Sequence, residues 1–277
     1  MKRITFLATI LMLVTNIASS QYKQTLKDQN INRTELSKQK YIELFGQSPA
    51  TQTEKDPELM DILRKFIFGE VFYTGNLKDK QRELITIVIL TAQQTLSQLK
   101  VHTQAALNIG ATPLEIREAI YQCAPMIGFP KTLNAMSTIN EVFTLNNIRL
   151  PLENEGTVSE EDRFIRGSEI QYPLYGDEIN EKMKNLPDSL SVAVPKFLTE
   201  MCFGDFYTRK VLDIKTRELL MLCVLVTIGA EPQIKSHALG NLKAGNSKET
   251  ILAAMVHCIP YIGFPAGLNA INIIKDL

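Results

Sequence analysis

The sequence predicts an all-α protein made by tandem duplication of one helical domain, the two copies packed as an intramolecular pseudo-dimer. Three observations carry that reading. Shifted by 135 residues, positions 69–135 align with 204–270 without a gap and match at 23 of 67 positions. Within each copy, apolar stretches of helical length are punctuated by glycine and proline. Apolar residues make up 45% of the 277-residue chain, enough for a sizeable buried core. A period this long marks a duplicated domain, not a solenoid of short repeats. A small unit gains from sharing its core with a second copy.

The elements follow in chain order. Lys2 and Arg3 precede a mostly apolar run from Phe6 to Ile17, and Ala18-Ser19-Ser20 supplies small residues where a signal peptidase reads. Residues 1–20 therefore read as a secretory leader. The apolar run is too short to span a bilayer. The expectation is export, periplasmic or secreted, with no membrane association after cleavage. Residues 21–55 are polar and read as a mobile arm or a short leading helix. The first copy spans 56–145. Its stretch from Arg82 to Ala92 is rich in Leu, Ile and Val, which alone fits either a buried strand or a helix. Leu99, His102, Ala106 and Ile109 then share one helical face. Gly110 stands where a helix ends in a left-handed residue. Thr112-Pro113-Leu114-Glu115 has the form of a capping box with proline at the first helical position.

Two prolines and a glycine follow in each copy: Pro125, Gly128 and Pro130, then Pro260, Gly263 and Pro265. Proline lacks an amide donor and disfavours helix before it. A break is expected there, with helix resuming near Lys131 and Ala266. Residues 146–194 read as a polar link, with an ordered turn at Gln171 to Gly176. The second copy spans 195–277, where Gly245 ends a helix and Asn246 or Ser247 caps the next.

Composition excludes some functions. Thirty basic and thirty acidic residues leave no net charge, so nucleic acid is not an expected partner. Cys123, Cys202, Cys223 and Cys258 fit neither C-x-x-C nor a zinc spacing. The chain has no Walker loop, no dinucleotide fingerprint and no G-x-S-x-G. Its three histidines have no clustered ligands, so no metal or other cofactor is expected.

The polar residues that repeat are more informative. Arg82-Glu83 recurs as Arg217-Glu218, and His102 and His237 each lie 19 residues after the glutamate. Histidine titrates near neutral pH and suits proton transfer. A satisfied core histidine bonded to its glutamate is the plainer alternative. Gln98 and Gln233 lie four residues before each histidine, on its face, and are candidates to line a pocket. Lys100 and Lys235 fall on another face and read as solvent-exposed. Glu70 and Asp205 form a further matched acidic pair. His257 has Gln122 as its counterpart and belongs to the second copy alone.

The order R-E-L, apolar helix, H-x4-L-x2-G, then C-x-P-x-I-G-F-P-x2-L-N-A resembles the carboxymuconolactone decarboxylase family, within the superfamily that holds the alkylhydroperoxidase AhpD. The resemblance covers about 60–145 and 195–277. It implies an AhpD-like helical fold, a small-molecule substrate and a homo-oligomer built from pseudo-dimers. The peroxidase branch carries C-x-x-C twelve and fifteen residues after the glutamate. Here those positions are Thr95 and Gln98, then Ala230 and Gln233. A dithiol mechanism needs two neighbouring sulfurs, so the decarboxylase branch is the nearer likeness. The resemblance assigns proton transfer to His102 and His237, with Glu83 and Glu218 orienting them. Arg82 and Arg217 would hold a substrate carboxylate through paired hydrogen bonds, or would form structural salt bridges. The expected reaction is loss of CO2 from a small carboxylated lactone or organic acid without a cofactor. Two alternatives stand beside it: a peroxiredoxin-like activity using atypical cysteines, and a non-catalytic ligand-binding or assembly module.

Overall fold

The computed structural model describes residues 32–49 and 55–277. The leader read over 1–20 lies outside the described residues. The first copy comprises α1 (Arg33–Phe45), α2 (Pro57–Gly69), a 3-10 turn (Val71–Tyr73), α3 (Asp79–Gln93), α4 (Leu96–Asn108), α5 (Pro113–Tyr121), a short α6 (Ala124–Ile127) and α7 (Phe129–Leu145). The second comprises α8 (Arg163–Tyr175), α9 (Glu178–Met183), α10 (Asp188–Phe197), a π-helical stretch (Leu198–Tyr207), α11 (Ile214–Thr227), α12 (Glu231–Lys243), α13 (Lys248–Ile262) and α14 (Phe264–Lys275). The architecture is an all-α tandem duplication, with no strand among the described residues.

Local signals set several ends. The Thr112 hydroxyl accepts from the Glu115 amide at 3.1 Å, and the Glu115 carboxylate accepts from the Thr112 amide at 2.8 Å. Ser247 caps α13 through the Thr250 amide at 3.1 Å. Gly110 and Gly245 take φ of 85° and 93°, a left-handed state that favours glycine. The ambiguous stretch Arg82 to Ala92 is helix. The repeated phrase breaks at Gly128 and Gly263, and helix resumes at once with Phe129 and Phe264, two residues earlier than expected. Proline sits in the first turn there, where a missing amide costs nothing. Pro125 likewise opens α6, whereas Pro260 lies inside α13 without ending it.

The stretch read as a link is structured. Residues 163–175 form α8, which runs through Pro173 to Gly176 in place of a turn at 171–176. This helix is the counterpart of α1. Arg33 of α1 pairs with Glu70 at 2.9 Å, and Arg163 of α8 pairs with Asp205 at 2.9 Å. Gly69 and Gly204 let these helices cross closely, for a Cβ on either would lie 2.3 Å from the Arg33 carbonyl oxygen or 2.5 Å from that of Arg163.

Helices α3 and α11 form the centre and pack on each other. Both are buried around their whole circumference, through Ile85, Ile87, Val88 and Ile89 on one and Leu220, Met221, Leu222 and Val224 on the other. Each such side chain contributes about 1.5–3 kcal/mol on burial. Helix α13 of the second copy also lies on α3. That contact brings His257 and the start of the second repeated phrase onto the first copy's central helix.

Candidate active sites

In the first copy the α3–α4 hairpin brings glutamate and histidine together. Gln94 adopts the left-handed conformation at φ 60°, and its amide closes the turn onto Leu90 and Thr91. The antiparallel return sets His102 opposite Glu83, with Nδ1 2.8 Å from Oε2. A carboxylate only accepts, so Nδ1 carries the proton and Nε2 is left as the ring's working atom. Glu83 is fully buried, and its other oxygen, Oε1, has no hydrogen-bond partner. Phe45 from α1 and Tyr261 from α13 each meet the His102 ring edge-on, with centroids 5.9 Å away.

The second copy therefore supplies part of this site. His257 is fully buried, and its Nε2 lies 3.0 Å from both the Arg82 carbonyl oxygen and the Thr86 hydroxyl. A carbonyl only accepts, so Nε2 bears the hydrogen and Nδ1 is a bare acceptor; it has no partner. Burial, reinforced by the nearby Arg82 charge, lowers the His257 pKa to about 3. The Tyr261 hydroxyl is buried beside that of Thr86 without a well-formed hydrogen bond. Burial and the Glu83 charge push its pKa up, which keeps the phenol protonated.

Arg82 is committed elsewhere. Nη1 donates to the Val71 carbonyl at 3.1 Å and Nη2 to that of Thr74 at 2.7 Å, while the guanidinium lies over the Phe72 ring. Arg217 likewise donates to the carbonyls of Leu212, Arg209 and Lys210, and reaches Gln122 and Glu118. Of the two readings, substrate clamp or structural salt bridge, both arginines show a structural role, anchoring the turn before the central helix, and Arg217 also pairs with Glu118 at 3.5 Å. Buried carbonyls need donors, and a guanidinium supplies several at once. Gln98 and Gln233 are exposed, one turn before the histidines. Lys100 is solvent-facing and pairs with Glu141 at 3.0 Å.

The second site is built differently. Tyr207 donates to Glu218 Oε1 at 2.8 Å, and Tyr175 donates to Oε2 at 2.5 Å. With its O–H directed at the carboxylate, the Tyr175 oxygen accepts from His237 Nδ1 at 2.9 Å. The direct His237–Glu218 distance is 3.3 Å. Tyr175 is thus wedged into the Glu–His pair, and both carboxylate oxygens are satisfied. The counterparts of Tyr175 and Tyr207 in the first copy are Phe45 and Phe72, which have no hydroxyl. Gly240 makes room for the wedge, since a Cβ there would meet the Tyr175 oxygen at 2.5 Å.

Sequence reasoning missed Phe45, Tyr175, Tyr207 and Tyr261. Tyr261 replaces Met126 inside the repeated phrase, a difference that was visible. Phe45-Gly46 and Tyr175-Gly176 are related by a shift of 130, not 135, so the ungapped alignment passes over them.

All four cysteines are buried. Burial raises the thiols of Cys123 and Cys202. A hydrogen bond with Cys258, then burial, raises that of Cys223. Protonated, enclosed thiols are poor nucleophiles. Among the described residues no group of three or more His, Cys, Asp or Glu side chains could hold a metal ion. A cavity of about 600 Å³ lies between α8, α9 and α10, lined by Phe164, Tyr172, Asn180 and Lys196 among others, and it contains neither glutamate–histidine pair.

Comparison with known proteins agrees with this construction. The model of the carboxymuconolactone decarboxylase family matches residues 57–141 and again 193–276. The 4-carboxymuconolactone decarboxylase of Acinetobacter baylyi is 25% identical over 121 residues, covering 43% of this chain and 90% of that protein. The nitrosuccinic acid decarboxylase of Metarhizium robertsii is 33% identical over 95 residues, covering 33% of this chain and 66% of its own length. The crystal structure of a chain provisionally assigned as a gamma-carboxymuconolactone decarboxylase subunit, from Burkholderia xenovorans, superposes with a TM-score of 0.54 at 20% identity, over 87% of this chain and 95% of that one. The chain belongs to the carboxymuconolactone decarboxylase family and carries the family domain twice in tandem.

Proposed function

We propose that the protein is a decarboxylase-type enzyme that acts on a small carboxylated lactone or organic acid at Glu83–His102, without a cofactor. The observation that carries the reading is the buried Glu83–His102 pair, 2.8 Å apart, with one carboxylate oxygen still unpartnered. Relatives named as decarboxylases for two different acids support the reaction class. In such a reaction the bond between the substrate and its carboxylate breaks, and CO2 leaves. The bonding electrons move into the conjugated lactone or carbonyl system, and carbon then takes a proton. His102, protonated on Nε2, delivers that proton. Glu83 holds the ring through Nδ1 and stabilises the cationic form, and water recharges it. Phe45 and Tyr261 exclude bulk water from the histidine face, which strengthens these interactions.

The second copy favours another role. Glu218 is saturated by two tyrosine hydroxyls, so that site reads as structural or ligand-free, and turnover is assigned to the first copy. Buried thiols give the peroxidase alternative no nucleophile of the usual kind. Export and assembly of pseudo-dimers into a homo-oligomer belong to the same proposal. Exposed Phe129 and Leu133 recur as exposed Phe264 and Leu268 at matching positions, which supports the assembly.

The test is incubation of the mature protein with 4-carboxymuconolactone and related lactones, following ultraviolet absorbance and CO2 release. His102→Ala is expected to lower turnover about 10²–10⁴-fold, the usual worth of a positioned proton donor. His237→Ala is expected to stay within a few-fold of the parent. Equal activity of parent and His102→Ala, or no CO2 from any lactone, sinks the reading.

A further inference from the structure

Among the described residues seven buried side-chain polar atoms lack a hydrogen-bond partner; Glu83 Oε1, Tyr261 Oη and His257 Nδ1 belong to side chains at or beside the first site, and Arg82 Nε to the side chain that anchors the preceding turn. Leaving a buried polar group unpaired is costly, so each of these atoms calls for a partner. The four do not come from one copy. Arg82 and Glu83 open α3, whereas His257 and Tyr261 lie one turn apart on α13. The Tyr261 ring lies 5.7 Å from the His257 ring and 5.9 Å from that of His102. At the corresponding positions of the second site stand Gln122 and Met126. There the Gln122 carbonyl oxygen accepts from Arg217 while its Nε2 is unpartnered, and the glutamate is satisfied by protein hydroxyls.

The chemistry of these atoms narrows what they would hold. Glu83 Oε1 and His257 Nδ1 are acceptors. The Tyr261 phenol donates or accepts. Arg82 Nε donates, but its guanidinium is otherwise bound to loop carbonyls. A carboxylate placed against Glu83 would meet a like charge. A hydroxyl group donates one hydrogen bond and accepts others, so it suits both neighbours. In the second site the equivalent oxygen, Glu218 Oε1, already accepts from a phenol hydroxyl, that of Tyr207, at 2.8 Å. Its counterpart in the first copy, Phe72, has no hydroxyl to satisfy Glu83 Oε1.

We propose that Tyr261, lent by the second copy, is a specificity-determining residue of the first site, where it and Glu83 bind a hydroxyl group of the substrate. The inference rests on the reading of Glu83–His102 as the reactive site and narrows its substrate class to hydroxylated lactones or hydroxy acids. His257 flanks that group as a neutral acceptor.

The experiment uses binding, so that it is separate from turnover. The full mature chain, labelled with nitrogen-15 at histidine, is titrated with 3-hydroxy-γ-butyrolactone and with γ-butyrolactone, and imidazole resonances are followed by NMR. The hydroxylated lactone is expected to bind about tenfold tighter and to shift the His257 Nδ1 signal. Tyr261→Phe, which removes only the hydroxyl, is expected to erase that preference of about tenfold while leaving γ-butyrolactone unchanged. Equal binding of the two lactones, an equal loss of both in Tyr261→Phe, or no binding of either overturns the proposal; the last outcome would mean that water alone satisfies these atoms. Hydroxyl-selective binding without CO2 release from any lactone keeps this inference and removes the decarboxylase reading. CO2 release indifferent to Tyr261→Phe does the reverse.

Discussion

His257 stands where the first copy has Gln122, and the exchange changes the acid–base behaviour of the whole protein. It is fully buried and donates from Nε2 to the Arg82 carbonyl. Burial lowers its pKa from 6.5 to about 3. Between those values the unfolded chain binds a proton at this residue and the folded chain does not. Stability therefore rises with pH across the window and is lost as pH falls from about 6.5 towards 3, with a slope of up to about 1.4 kcal/mol per pH unit. His257→Gln is expected to flatten that limb of the curve while costing some stability at neutral pH. Urea midpoints measured between pH 4 and 7 check it. A mutant curve parallel to the parent's would show that His257 is already hydrated or charged in the fold.

Each site is covered by the C-terminal aromatic residue of the helix that precedes its domain core. In the first copy that residue is Phe45 of α1, which touches His102 through ring packing. In the second it is Tyr175 of α8, latched to Glu218 and His237. Gly240 of α12 sets how closely α8 approaches, and the first copy has Ala105 there. A Cβ at 240 would lie 2.5 Å from the Tyr175 oxygen and 2.9 Å from Glu218 Oε2. Gly240→Ala should therefore destabilise the chain by about 1–3 kcal/mol through overpacking. In a Tyr175→Ala background the nearest obstacle is gone and only the contact with Glu218 Oε2 at 2.9 Å remains, so the same change should cost less than in the parent. A double-mutant cycle in thermal or urea unfolding reads the difference. An equal cost in both backgrounds would place the clash elsewhere.

At the level of the molecule the copies are joined by unequal seams. On one side the fully buried Glu118 of α5 binds three guanidiniums: Arg117 at 3.0 Å, Arg209 at 2.8 Å and Arg217 at 3.5 Å. Tyr121 lies between Arg117 and Arg209, 5.3 Å from each. The matching position in the second copy is Ala253, which packs against Gly75. Removing the single carboxylate leaves cations facing one another with little water. Glu118→Gln is expected to cost about 3–5 kcal/mol, as when one partner of a buried ion pair is removed. The two copies are expected to unfold together in a single urea transition with an unchanged slope. A loss below about 1 kcal/mol would mean that the cluster is effectively solvated. Two separate transitions would mean that the copies fold independently.

Much of this architecture was readable in the chain itself. The 135-residue repeat, the capping box at Thr112, the glycine ends at Gly110 and Gly245 and the glutamate–histidine spacing depend on residues near one another in sequence. Such features follow from local backbone chemistry and helical periodicity, and they led to the fold class and the family. The α1–α8 correspondence was hidden by a five-residue difference in spacing and by polar composition. The fates of Arg82 and Arg217 depended on which carbonyls the folded turn left unpaired. The inequality of the two sites was decided only in three dimensions. Phe45 and Tyr261 meet the Glu83–His102 pair from 38 to 178 residues away along the chain, and the physical reason is burial. Once α13 lies on α3, each polar atom there must find a partner within the packed core or be kept for a ligand.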